Sequence, residues 1–122
     1  MWVCSKYGFY SIVQSGKDIQ VRGREEVDLK NLVRACQLNK KIIETEQADY
    51  RFRVIVTPRE LEDIMLTLAD SVDYPNFKSM IDTRPDQKNK PYHDVWGVLA
   101  DALGCYGGKK YIPFSPFTDN FF

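Results

Sequence analysis

An excess of charge of either sign is missing from this chain: seventeen Lys and Arg are balanced by seventeen Asp and Glu. A general nucleic-acid binder displaces counterions with several unbalanced cations, so that role is not expected, although neutrality permits a local basic patch. Low net charge also weakens self-repulsion and allows oligomers. Cysteine is scarce. Cys4, Cys36 and Cys105 are odd in number, widely spaced, and form no Cys-x-x-Cys pair. A zinc site is therefore not expected, and the thiols read as small buried hydrophobes in a reducing cytoplasm. No apolar run approaches the ~20 residues that span a bilayer, so no membrane partner is expected. The opening Met-Trp-Val-Cys-Ser-Lys has no basic region followed by an apolar run, so no signal peptide is expected either. Histidine occurs once, as His93, and there is no Gly-x-Ser-x-Gly or P-loop. His93 adjoins Asp94 in a helical stretch, and consecutive residues on a helix do not face each other, so the two are no dyad. No catalytic group, metal or cofactor is expected.

What is present is an ordinary globular composition, 43% apolar and 28% charged over 122 residues, enough for one core. The expected layout is a single domain over 1–108 with an aromatic, proline-containing tail over 109–122. Four phenylalanines in that tail would leave an exposed apolar patch, so it is expected to pack on its own domain or across a subunit boundary.

The organising stretch is 48–61, Ala-Asp-Tyr-Arg-Phe-Arg-Val-Ile-Val-Thr-Pro-Arg-Glu-Leu. Phe52, Val54 and Val56 alternate with Arg51 and Arg53, which predicts a strand with one apolar face; Ile55 breaks the polar side. Thr57, Pro58 and Glu60 then form a capping-box pattern that starts a helix. Upstream, β-rich runs predict strands over 2–5, 9–14 and 18–24. Leu29, Leu32, Val33 and Cys36 mark a helical stripe that Asn39 can stop. A fourth strand is expected over 41–46. Downstream, Asp73-Tyr74-Pro75 breaks the capped helix, a short helix carries Phe77, Met80 and Ile81, and 83–90 is a loop. Pro91 opens a last helix that Gly104 and Gly107-Gly108 end. The order βββαββα with a helical C-terminal part predicts an α+β fold, a mainly antiparallel sheet of about five strands with helices on one face.

Two constellations stand out. Arg22, Arg24, Arg51 and Arg53 project from the third and fifth strands, away from the apolar alternates. If those strands are neighbours, four guanidinium forks share a surface suited to phosphate or carboxylate. The same residues also fit the wet face of a one-sided sheet, with Glu44 and Glu46 as cross-strand ion partners. The second constellation is the helix–helix joint with Tyr74, Asn76, Phe77 and Lys78: a ring can stack on a base, an amide can read its edge, and an ammonium can meet a phosphate. It also fits a rigid corner in which Asp73 or Asn76 caps a helix. His93 and Trp96, in the last helix, complete the candidate ligand contacts.

Met1-Trp2-Val3, Gly8-Phe9-Tyr10-Ser11-Ile12-Val13, Ala48-Asp49-Tyr50-Arg51-Phe52-Arg53, Asp73-Tyr74-Pro75-Asn76-Phe77-Lys78 and Tyr92-His93-Asp94-Val95-Trp96 together resemble one small bacterial and phage protein family, over about residues 1–103. That family is similar to phage Thoeris anti-defence sponges. The resemblance implies an oligomeric protein in the host cytoplasm that binds a cyclic ADP-ribose-type immune signal at subunit boundaries and withholds it from its effector without chemistry. It further implies an aromatic on the adenine and arginines on the pyrophosphate. Phe77, Asn76 and the four arginines are the matching residue types. The expected function is therefore sequestration of a small nucleotide by a homo-oligomer. The alternatives are an inhibitor that docks on a defence effector such as a CRISPR nuclease, and a small nucleotide enzyme using His93.

Overall fold

The computed structural model describes residues 1–85 and 88–104. Its α+β architecture has a five-stranded antiparallel sheet in the order β1-β2-β3-β5-β4. The strands are β1 (Trp2–Ser5), β2 (Gly8–Ser15), β3 (Asp18–Gly23), β4 (Ile43–Glu44) and β5 (Phe52–Val56). Among the described residues the helices are α1 (Glu26–Cys36), α2 (Pro58–Asp70), α3 (Phe77–Ile81) and α4 (Lys90–Leu103). The chain divides into two compact units, Met1–Gln87 and Lys88–Phe122. The first holds the sheet with α1 to α3, and the second holds α4. Cys105, the glycines expected to close the last helix after Gly104, and the expected tail over 109–122 lie outside the described residues.

Strand alternation sorts the sheet into two faces. Tyr10, Ile12, Val21, Phe52, Val54 and Val56 are buried together with Leu29 and Leu32 of α1 and Ile64 and Leu68 of α2. Both long helices of the first unit therefore cover the same face. Their intervening partners, Ser11, Gln20, Arg22, Arg53 and Ile55, point to the other face. The α1 side is fixed by a buried polar knot. Asp28, 5% exposed, accepts from the Phe9 backbone N–H at 3.3 Å, while its own carbonyl accepts from the Tyr10 hydroxyl at 2.6 Å. Asn31 donates from its side chain to the Tyr7 carbonyl at 3.2 Å.

Two element ends depart from the sequence expectations, and the start of the last helix agrees with them. Helix α1 stops before Asn39, because Gln37 takes a left-handed conformation (φ 53°) and Leu38 N–H reaches back to the Val33 carbonyl at 3.0 Å. This is a Schellman-type stop secured by packing of Leu38 on the core. Strand β4 spans two residues only; the Thr45 N–H to Arg51 carbonyl bond at 2.7 Å carries the same register one rung further, and the chain then turns over 46–50. Helix α4 begins at Lys90, with Pro91 in its first turn. Of the thiols, Cys36 packs against the core, whereas Cys4 is exposed rather than buried.

The capping box forms as the sequence dictates. Glu60 N–H donates to Thr57 Oγ1 at 3.1 Å and Thr57 N–H donates to Glu60 Oε1 at 2.9 Å. Replacing the cap, Thr57→Ala, is expected to lower unfolding free energy by about 1 kcal/mol, read from the urea midpoint. The Thr57 N–H, helped by Lys40, holds the Glu60 carboxyl below its usual range. A carboxyl with a lowered folded value stabilises above its unfolded range and loses that contribution as acid protonates it. Glu60→Gln is accordingly expected to flatten the acid limb of the thermal-stability profile by lowering stability modestly at neutral pH, where the charge acts, while leaving stability in acid nearly unchanged, since Gln can still accept in a capping box but cannot pair with Lys40.

Candidate functional site on the open sheet face

Register decides whether the arginines meet. Strand β3 pairs directly with β5, and Arg22 lies opposite Arg53. The same row continues through Ser11 to Trp2 on one side and to Ile43 on the other. One line of residues, Trp2–Ser11–Arg22–Arg53–Ile43, thus crosses all five strands on the face away from α1 and α2.

Along this row the guanidiniums are held in place rather than left to wander. Arg22 Nη2 donates to Ser11 Oγ at 2.7 Å, and its Nε reaches the Ser11 carbonyl at 3.4 Å; Ser11 is only 2% exposed beneath it. Arg53 Nη1 donates to Gln20 Oε1 at 3.1 Å and Nη2 to the Tyr50 carbonyl at 3.1 Å. The Arg53 Nε–H is buried without an acceptor.

Tyr50 is the centre of the cluster. A bend over 48–50 precedes β5, and the Tyr50 ring is 8% exposed. The Arg22 and Arg24 guanidinium carbons lie 4.6 and 4.4 Å from its centroid. Both distances suit cation–π stacking. Three cations therefore surround one phenol ring and its carbonyl.

Their charge is what singles the cluster out. No carboxylate among the described residues pairs with Arg22, Arg24 or Arg53, whereas Arg51 is neutralised by Glu44 (Nε to Oε2, 2.6 Å) and Glu46 (3.6 Å). The ion-paired wet face anticipated from sequence is thus realised at Arg51 alone. Like charges directly opposite on adjacent strands repel. Among the described residues Arg22 stands against Arg53 and beside Arg24 without an acid, so the three cations repel one another.

The candidates at the helix–helix joint serve that joint. Asn76 caps α3, accepting from Ser79 N–H at 2.9 Å, and Tyr74 meets Phe77 edge to face at 5.9 Å. The joint is moored to the turn between β1 and β2: Lys6 Nζ pairs with Asp73 at 2.8 Å, and Arg84 donates to the Lys6 carbonyl at 2.9 Å. Lys78 lies half-buried within α3. His93 and Trp96 belong to α4, in the second unit. Asp94 there pairs with Lys90 at 2.7 Å, one helical turn away.

Sequence reasoning passed over Tyr50, Ser11 and Trp2 as site residues. Tyr50 carried one usable signal, an aromatic inside a short polar connection next to two arginines. Ser11 and Trp2 carried none, because only strand register puts them in the row. Among the described residues no group of three His, Cys, Asp or Glu converges to hold a metal, and no helix is long and apolar enough to cross a membrane. Desolvation pushes the Cys4 thiol up, so it is no ready thiolate at neutral pH. Neither family models, nor curated proteins, nor solved structures match this chain.

Proposed function

We propose that the chain is a non-catalytic binding protein that captures a small phosphorylated nucleotide on its open sheet face. The observation that carries this is the set of three guanidiniums, Arg22, Arg24 and Arg53, ordered around Tyr50 with no carboxylate partner among the described residues. Guanidinium forks match phosphate oxygens bidentately, and a preformed array loses little entropy on binding. The resemblance to Thoeris anti-defence sponges supplies the ligand class, a cyclic ADP-ribose-type signal, and the biological role, its removal from a defence effector.

An open sheet supplies one wall of a site. A second copy of the chain supplies the other, in keeping with the oligomers and boundary pockets of the sponges. Capture needs no turnover, so the ligand is expected to come off unchanged when the complex is denatured.

Calorimetry with cyclic ADP-ribose isomers and cyclic oligonucleotides is the direct test. Heat with at least one of them is expected, with an affinity that falls steeply as salt is raised, because the contacts are charge-assisted. Heat-neutral mixing with all of them at high protein concentration would leave the arginine face to the other expected role, docking on an acidic surface of a defence effector.

A further inference from the structure

We infer that Trp2 is the base-stacking platform of this site, and that the row Trp2–Ser11–Arg22–Arg53 is a linear track for a nucleotide carrying a pyrophosphate. The inference rests on the phosphate-capture reading above and gives the ligand an orientation.

Trp2 is 76% exposed, although an indole is among the groups that gain most from burial. Its position is nevertheless firm. The Ile12 N–H bonds the Met1 carbonyl at 2.8 Å, Trp2 pairs with Ser11, and the Phe9 ring meets the indole at 6.1 Å with planes inclined by 65°. An edge-to-face neighbour orients the indole while most of its surface stays open. A rigid, exposed indole is a stacking surface for any base.

Its distance from the cations suits the task. Trp2 and Arg22 face the same way and are separated by two strand steps, about 10 Å at the usual spacing of about 4.8 Å. A ribose bridges such a gap between a base and its diphosphate. Arg53, one strand further, and Arg24, two residues beyond Arg22 and just past the end of β3, then flank the phosphates. Ser11 lies under the bridge, already engaged by Arg22, so the middle of the track is polar and flat. A mononucleotide with a single phosphate, or a free base, fills only part of it.

The test uses the full chain, with ADP, adenosine and inorganic pyrophosphate as calorimetric probes, and the variants Trp2→Ala and Trp2→Phe. Trp2 is exposed, so neither variant is expected to disturb folding. In the native chain ADP is expected to bind about tenfold to a hundredfold more tightly than pyrophosphate, and adenosine weakly. Trp2→Ala should bring ADP down to the pyrophosphate level while pyrophosphate stays unchanged, and Trp2→Phe should restore most of the difference. An unchanged ratio of ADP to pyrophosphate affinity in Trp2→Ala, or an equal loss for both probes, overturns the assignment. Capture of cyclic ADP-ribose without any binding of ADP overturns it too, but leaves the phosphate-capture reading standing. Heat from none of the nucleotides or pyrophosphate overturns both.

Discussion

Gly8→Ala is expected to cost the protein about 3–5 kcal/mol, enough to leave it marginally folded or unfolded at ambient temperature. Two effects combine at this residue. Gly8 has φ +151°, where an L side chain is strained, and a Cβ there would lie 2.5 Å from the Cβ of Asp28 and overlap its carboxyl group. Asp28 cannot give way easily, because it is buried, and it ties α1 to β2 through Phe9 and Tyr10. Either α1 lifts off the sheet or the start of β2 shifts, and both break the core that Leu29 helps to fill. Gly16→Ala separates the two effects. Gly16 also has a positive φ, +62°, but a Cβ there meets nothing within 4 Å. Its loss should be limited to the backbone term, about 1–2 kcal/mol. Chemical denaturation of both variants checks the argument, and equal losses would show that the Asp28 contact is not what Gly8 protects.

Much of the fold was legible because its signals are local. The alternation around Phe52, Val54 and Val56, the stripe of Leu29 and Leu32, and the Thr57–Glu60 box each act within a few residues, and each forms as its pattern requires. What misled was also local. Gln37 takes a left-handed cap that residue type alone does not favour, and it does so because Leu38 gains burial. The site was legible only in part. Residue chemistry and alternation put the four arginines on one face, but which of them keep an acid partner depends on the turn that brings Glu44 and Glu46 to Arg51. Tyr50 joins the cluster through a bend, and Trp2 through two pairings of strand register. Non-local geometry of this kind leaves no spacing pattern to read.

The arginines themselves are expected to split three against one. Arg22→Gln, Arg24→Gln and Arg53→Gln should each weaken binding of the phosphorylated ligand by about tenfold to a hundredfold, the worth of one or two charge-assisted hydrogen bonds. Arg51→Gln should change it little, because Glu44 and Glu46 already neutralise that guanidinium. Stability of the free protein should move the other way. Arg51→Gln removes an exposed ion pair and costs at most about 1 kcal/mol. Arg24→Gln gives up its stacking on Tyr50 but also removes a cation that repels two neighbours and that has no acid partner among the described residues, so its unfolding midpoint is expected to stay level, and to rise at low salt where repulsion is least screened. Arg22 and Arg53 fall between, since each also loses hydrogen bonds to Ser11 or to Gln20 and Tyr50. A face kept only for solubility would show no such opposition: removing any of the four would have similar small effects on stability, and no ligand would distinguish them. Binding that falls while the free protein holds or gains stability is the mark of charge stored for an absent anion. Calorimetry and thermal melts of the same four variants, at two salt concentrations, read both signs in one experiment.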